Sequence, residues 1–136
     1  PPARRRASLE RLAVRGALRA EVLDFPALRS GLLRALERAP GRGEVDARLA
    51  GCSDERLLAL HASGSARARR RIERFVQEDR ARPTPIDGAE LVRLGLAGPA
   101  VGRALARLRR DYLNGVLRSS EQVLERAERL AKRARG

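Results

Sequence analysis

Apart from two phenylalanines and one tyrosine, this chain has only aliphatic side chains with which to build a core. A sheet draws much of its stability from β-branched and aromatic pairs across strands, and such residues are scarce here. Leucine, alanine and some valine supply nearly all of the 43% hydrophobic content, which favours packed helices. At 136 residues the chain has room for one domain, or two small ones, around a modest core. The expected class is all-α.

Breaks in the sequence divide that helical potential. Ser8 to Val14 reads as a short amphipathic stretch. Pro26 suits the first turn of a helix over 26–39, with Leu28, Leu32, Leu33 and Leu36 inward. Pro40-Gly41-Arg42-Gly43 stops it, and a short helix over 44–50 follows. Ser53 caps the next helix, with Asp54 and Glu55 near its positive end and Leu57, Leu58 and Leu60 as its buried face. After Ser63-Gly64-Ser65, a helix over 66–80 turns Ala68, Ile72, Phe75 and Val76 inward. Its Arg67, Arg70, Arg71 and Arg74 share a wetter face. Arg82-Pro83-Thr84-Pro85 is stiff and extended, and reads as a linker joining two small helical bundles, residues 1–82 and 83–136. Beyond it, Asp87 with Glu90 makes a capping box, Gly115 a left-handed stop, and Ser119 with Gln122 a second box.

Charge narrows the class of partner. Thirty basic residues face 17 acidic ones, a formal charge of +13. Lys132 is the sole lysine. Codon composition explains arginine in place of lysine, but not the basic excess. A polyanion follows: RNA, DNA or an anionic membrane surface. No apolar run approaches the ~20 residues that span a bilayer, and the opening PPARRRASLE lacks the apolar stretch of a signal peptide. One cysteine, Cys52, and one histidine, His61, provide neither an intrachain disulfide nor a metal cluster, and a reducing cytoplasm is expected. The acidic residues sit in first turns or alternate with arginine, so no carboxylate pair for metal or acid–base work stands out. This segment alone is not expected to be an enzyme. The absence of methionine suggests a piece of something longer.

The arginines of the last third are arrayed. Arg103, Arg107 and Arg110 recur at i, i+4, i+7, with Arg109 beside them, opposite Val101, Leu105, Leu108 and Tyr112. Arg126, Arg129 and Arg133 repeat the pattern on the last helix, joined by Lys132. Gly98-Pro99 opens the first of these helices, so bare amides at its start would face a phosphate, and Gly98 and Gly102 would permit close approach. Gly98, Gly102, Arg103, Arg107, Arg109, Arg110, Arg129 and Lys132 are therefore the expected backbone-binding residues. With so few aromatics, a stacking platform for single strands is not expected.

The order of these signals resembles the C-terminal helical region of bacterial tRNA nucleotidyltransferases, the CCA-adding enzymes and their poly(A) polymerase relatives. The matching features begin with Gly51-Cys52-Ser53-Asp54-Glu55-Arg56-Leu57-Leu58 and the proline linker Arg82-Pro83. Ile86-Asp87-Gly88-Ala89-Glu90-Leu91, Leu94-Gly95-Leu96, Gly98-Pro99 and Gly102 follow. Leu113-Asn114-Gly115-Val116-Leu117 and the capped Ser119-Ser120-Glu121-Gln122 complete the series. The likeness covers most of residues 8–133 and is strongest over 82–127. Two departures are a shorter glycine turn and Gln122 in place of the family's common glutamate. The resemblance implies a body-like and a tail-like part that hold tRNA for a catalytic head, present in cis or in trans. Mg²⁺ and CTP or ATP would belong to that head, and no cofactor to this segment. Two rival readings remain: a helix-hairpin-helix-like DNA-binding module, suggested by LGLAGPAVGRAL, and a structural or oligomerisation domain.

Overall fold

The protein is all-α. The structure, a computed structural model, describes residues 3–4, 6–7 and 16–136, and no strand occurs among them. It forms two compact units, residues 1–38 and 39–136. The expected stretch Ser8–Val14 lies outside the described residues.

In the first unit, α1 spans Gly16–Arg38. Pro26 stands inside this helix and does not open a new one. A proline there removes one i to i−4 hydrogen bond but leaves the φ of a helix unchanged. Leu28, expected inward, is 55% exposed.

The second unit carries α2 (Arg42–Leu49), α3 (Asp54–Ser63), α4 (Ala66–Arg74) with a π-helical turn over Phe75–Asp79, α5 (Gly88–Arg93), α6 (Pro99–Leu113) and α7 (Ser120–Arg135). Caps set most of its starts. Ser53 and Ser65 accept from the amides of Arg56 and Ala68 at 3.3 and 3.2 Å. Asp87 and Glu90 form the reciprocal box, at 2.8 and 2.9 Å. At α7 the box is altered. Ser119 accepts from the Gln122 amide at 3.2 Å, but the Gln122 side chain reaches one residue further back, to the Arg118 amide at 2.7 Å.

The π turn was not legible in the pattern of apolar residues. The Arg80 amide donates to Phe75 O at 2.8 Å, five residues back. This wider turn buries Phe75 and Asp79 and leaves Val76 44% exposed, although period 3.6 had placed Val76 inside. Leu58 is likewise exposed, at 70%.

One core runs through the last helices: Ile86, Leu91, Leu96, Ala104, Leu108, Leu117, Val123, Ala127 and Ala131. Alanines at 127 and 131 bring α7 close to α6. The proline segment lies inside the second unit, so the polypeptide is continuous in packing across the expected boundary at Arg82–Pro83. The reason is a set of long-range polar contacts. Asn114, at the end of α6, accepts from the Gly43 amide at 2.8 Å and donates to Glu44 at 3.1 Å, thereby capping the start of α2. Gly43 is required there, because a Cβ would come within 2.6 Å of the Arg110 backbone.

Candidate nucleic-acid interface

Two helices with small residues on their facing sides leave a groove along their exposed edge. Between α6 and α7 it measures about 420 Å³ and has an apolar floor of Leu96, Ala100, Ala104, Leu130 and Ala134. Arg103 and Arg107 line it from α6, one turn apart, and Arg133 from α7. All three are exposed. None of them has a carboxylate partner among the described residues.

The turn ahead of α6 is built by glycines. Gly95 has φ of 98° and Gly98 a φ of 54° with ψ of −138°, the latter followed directly by Pro99 at the first helical position. The side chain of Arg135 lies over Gly95, with Cδ 3.5 Å from where a Cβ would stand, which brings a further guanidinium to the turn. The first-turn amides are only partly available. Ala100 donates to Ala97 O at 3.3 Å and Val101 to Gly98 O at 3.1 Å. The bare-amide expectation is reduced accordingly, and the arginines carry most of what a phosphate would meet.

The eight expected residues thus separate. Gly98, Gly102, Arg103 and Arg107 are all exposed, but of these only the two arginines line the groove. Arg109 does not belong with them. Its fork grips Asp46, with Nε to Oδ2 at 2.9 Å and Nη2 to Oδ1 at 2.8 Å, while Nη2 also donates to Asp79 O at 2.8 Å. Nη1 donates to Arg82 O and, at 3.4 Å, to Thr84 Oγ1. These bonds to Asp46 outweigh burial and raise its already high pKa. Arg109 is a tie between α2, the π turn, the proline segment and α6. Arg110 lies 3.9 Å from Glu44 and 3.8 Å from Asp111. Arg129 pairs with Glu125 one turn earlier on α7. Lys132 is exposed on the side of α7 away from the buried Val123, Ala127 and Ala131.

Arg133 and Arg135 were not among the expected site residues. Arg133 follows the half-buried Leu130 and the buried Ala131 in the helical pattern, a signal that it flanks the apolar seam. Arg135 gave no such signal, because its neighbour at the turn is 40 positions away in sequence.

Several other polar groups are structural. Arg42 holds the buried Asp79 through Nε at 3.0 Å and a second contact, and reaches Glu78 at 2.6 Å; the Asp79 bond raises its pKa. His61 Nε2 is 2.7 Å from Glu73. The Arg82 guanidinium lies 4.6 Å above the Tyr112 ring, the one tyrosine being used as a platform for a cation. Among the described residues, no three His, Cys, Asp or Glu side chains are grouped to hold a metal ion. Likewise, no helix is long and apolar enough to cross a membrane.

No protein-family model, curated protein or solved structure matches the chain.

Proposed function

We propose that the chain binds an RNA phosphate backbone through the α6–α7 groove, as the non-catalytic, tRNA-holding portion of a tRNA nucleotidyltransferase of the CCA-adding and poly(A) polymerase kind. The observation that carries the phosphate reading is the convergence of Arg103, Arg107 and Arg133 on one groove without an opposing carboxylate. Three guanidiniums on a rigid helix pair hold phosphate oxygens by charge and shape, without reading bases. The tRNA reading draws its support from the resemblance in the order of motifs from Gly51 to Gln122. In this reading the nucleotides, the metal and the chemistry belong to a catalytic head in cis or in trans, in the cytoplasm.

The test is a triple charge reversal, Arg103→Glu, Arg107→Glu and Arg133→Glu, read by anisotropy of a labelled tRNA. Each lost phosphate contact flattens the slope of log K against log salt by about 0.9, so a change of roughly 2–3 is expected. An unchanged slope would remove the groove from the account.

A second reading has an observation of its own. α5, a turn with Gly95 and Gly98 at positive φ, and α6 form a helical hairpin of the sort that grips duplex DNA. Preference for duplex DNA over tRNA at equal salt would select it.

A further inference from the structure

A second array of arginines lies outside the groove, on α4. At 100° per residue, Arg67, Arg70, Arg71 and Arg74 fall within about 100° of one another. That flank is clear of Ala68, Ile72 and Phe75, which are buried. Arg67, Arg70 and Arg74 are exposed. The acidic side chains nearby are already engaged: Glu73 by His61, and Glu78 and Asp79 by Arg42. The crowding is felt by the half-buried Arg71, whose Nη1 donates to Ala39 O at 2.7 Å. Burial first, and then the charges of Arg67 and Arg74, push its guanidinium below the ordinary value.

Like charges at i, i+3 and i+4 destabilise a helix by themselves. This helix keeps them, and its one carboxylate, Glu73, stands about 60° beyond Arg70 and is held by His61. A cleft of about 170 Å³ opens beside the stripe, lined by Arg42, Arg71 and Arg74 together with Pro40, Gly41 and Val45, and closed by the buried Asp79. From Arg67 to Arg74 the helix rises about 10 Å. Four successive nucleotides of one strand, three steps of about 3.4 Å each in B-form geometry, rise about as far. A membrane surface fits less well, since a helix that binds there lays an apolar face into the headgroups, and the apolar face of α4 is occupied by the core.

We propose that the Arg67, Arg70 and Arg74 stripe of α4 is a second phosphate-binding surface, which contacts the same RNA as the α6–α7 groove. This rests on the RNA-binding reading above.

The experiment compares four forms of the full chain on a fluorescein-labelled tRNA transcript across a salt series. They are the unaltered protein, the stripe variant (Arg67→Gln, Arg70→Gln, Arg74→Gln), the groove variant (Arg103→Gln, Arg107→Gln, Arg133→Gln), and a charge-matched control (Arg48→Gln, Arg69→Gln, Arg93→Gln). Circular dichroism confirms that each remains helical. The stripe variant is expected to bind about tenfold or more weakly, with a slope smaller by roughly 2–3, and the control to lie near the unaltered protein. An unchanged slope in the stripe variant, with a loss in the groove variant, overturns this proposal and leaves the groove standing. An equal loss in the control also overturns it, because net charge would then suffice. Absence of binding by the unaltered protein overturns the RNA reading itself. Vesicles of phosphatidylserine and phosphatidylcholine complete the set: a stripe-dependent loss there, with tRNA binding intact, would assign α4 to a lipid surface instead.

Discussion

Replacing Arg109 by methionine separates two roles that an arginine on an RNA-binding helix can play. The substitution keeps a long apolar stem and removes the fork that holds Asp46. The Asp46 side chain is 8% exposed and that of Arg109 24%. Breaking a buried pair from one side costs about 3–5 kcal/mol, since the partner charge stays behind without compensation. The partial exposure of Arg109 admits some water, which reduces the figure to roughly 2–4 kcal/mol. Arg82 O also loses the guanidinium donor, and Asp79 O loses one of two, keeping the Arg82 amide at 3.2 Å. Against a total stability of about 5–15 kcal/mol this is a large fraction. Urea unfolding followed at 222 nm should show a midpoint lower by about 1–2 M, with m of roughly 2 kcal/mol/M. A double variant, Arg109→Met with Asp46→Leu, removes the stranded charge and should recover part of the loss. If Arg109→Met shifts stability by less than about 0.5 kcal/mol but flattens the salt slope of RNA binding, Arg109 is a phosphate contact after all and the tie between α2 and α6 is unimportant.

Three further outcomes follow from the same geometry. Gly43→Ala would force a Cβ to within 2.6 Å of Arg110 backbone, and should destabilise by about 1–3 kcal/mol or more in a urea melt. Gly98→Ala meets open space but a backbone at φ of 54° and ψ of −138°; a loss of about 1–3 kcal/mol by thermal melting is expected from strain alone. Burial raises the Cys52 thiol above its ordinary pKa, ahead of the opposing charge of Arg56. Its alkylation by iodoacetamide should therefore rise with pH later in the folded protein than in urea, and identical pH profiles would contradict that burial.

The helix class was legible because the aliphatic inventory left little else, and because Ser53, Ser65, Asp87 and Ser119 announce starts by local hydrogen bonding. Local signals ended where contacts became distant. Nothing near Arg109 in sequence marks Asp46, 63 positions earlier, as its partner, so its place beside Arg110 grouped it with Arg103 and Arg107. The same distance hid Asn114 as the cap of α2. Pro83 and Pro85 do stiffen the backbone, but rigidity is compatible with packing on both sides, and the polar ties carry one unit across them. Val76 misled because a π turn adds a residue without altering the composition around it. In the groove, Arg103 and Arg107 were readable from spacing, whereas Arg135 was not, since only the folded path brings it to Gly95.

The most direct test of the central claim is the affinity of the chain for tRNA across a salt series, with duplex DNA as competitor. Binding should weaken steeply with salt, with a slope of roughly −3 or steeper from the groove arginines, and should survive an equal mass of duplex DNA. Displacement by DNA at equal salt would contradict the tRNA-holding account in favour of the hairpin reading, and no binding at moderate salt would contradict phosphate recognition by this chain altogether.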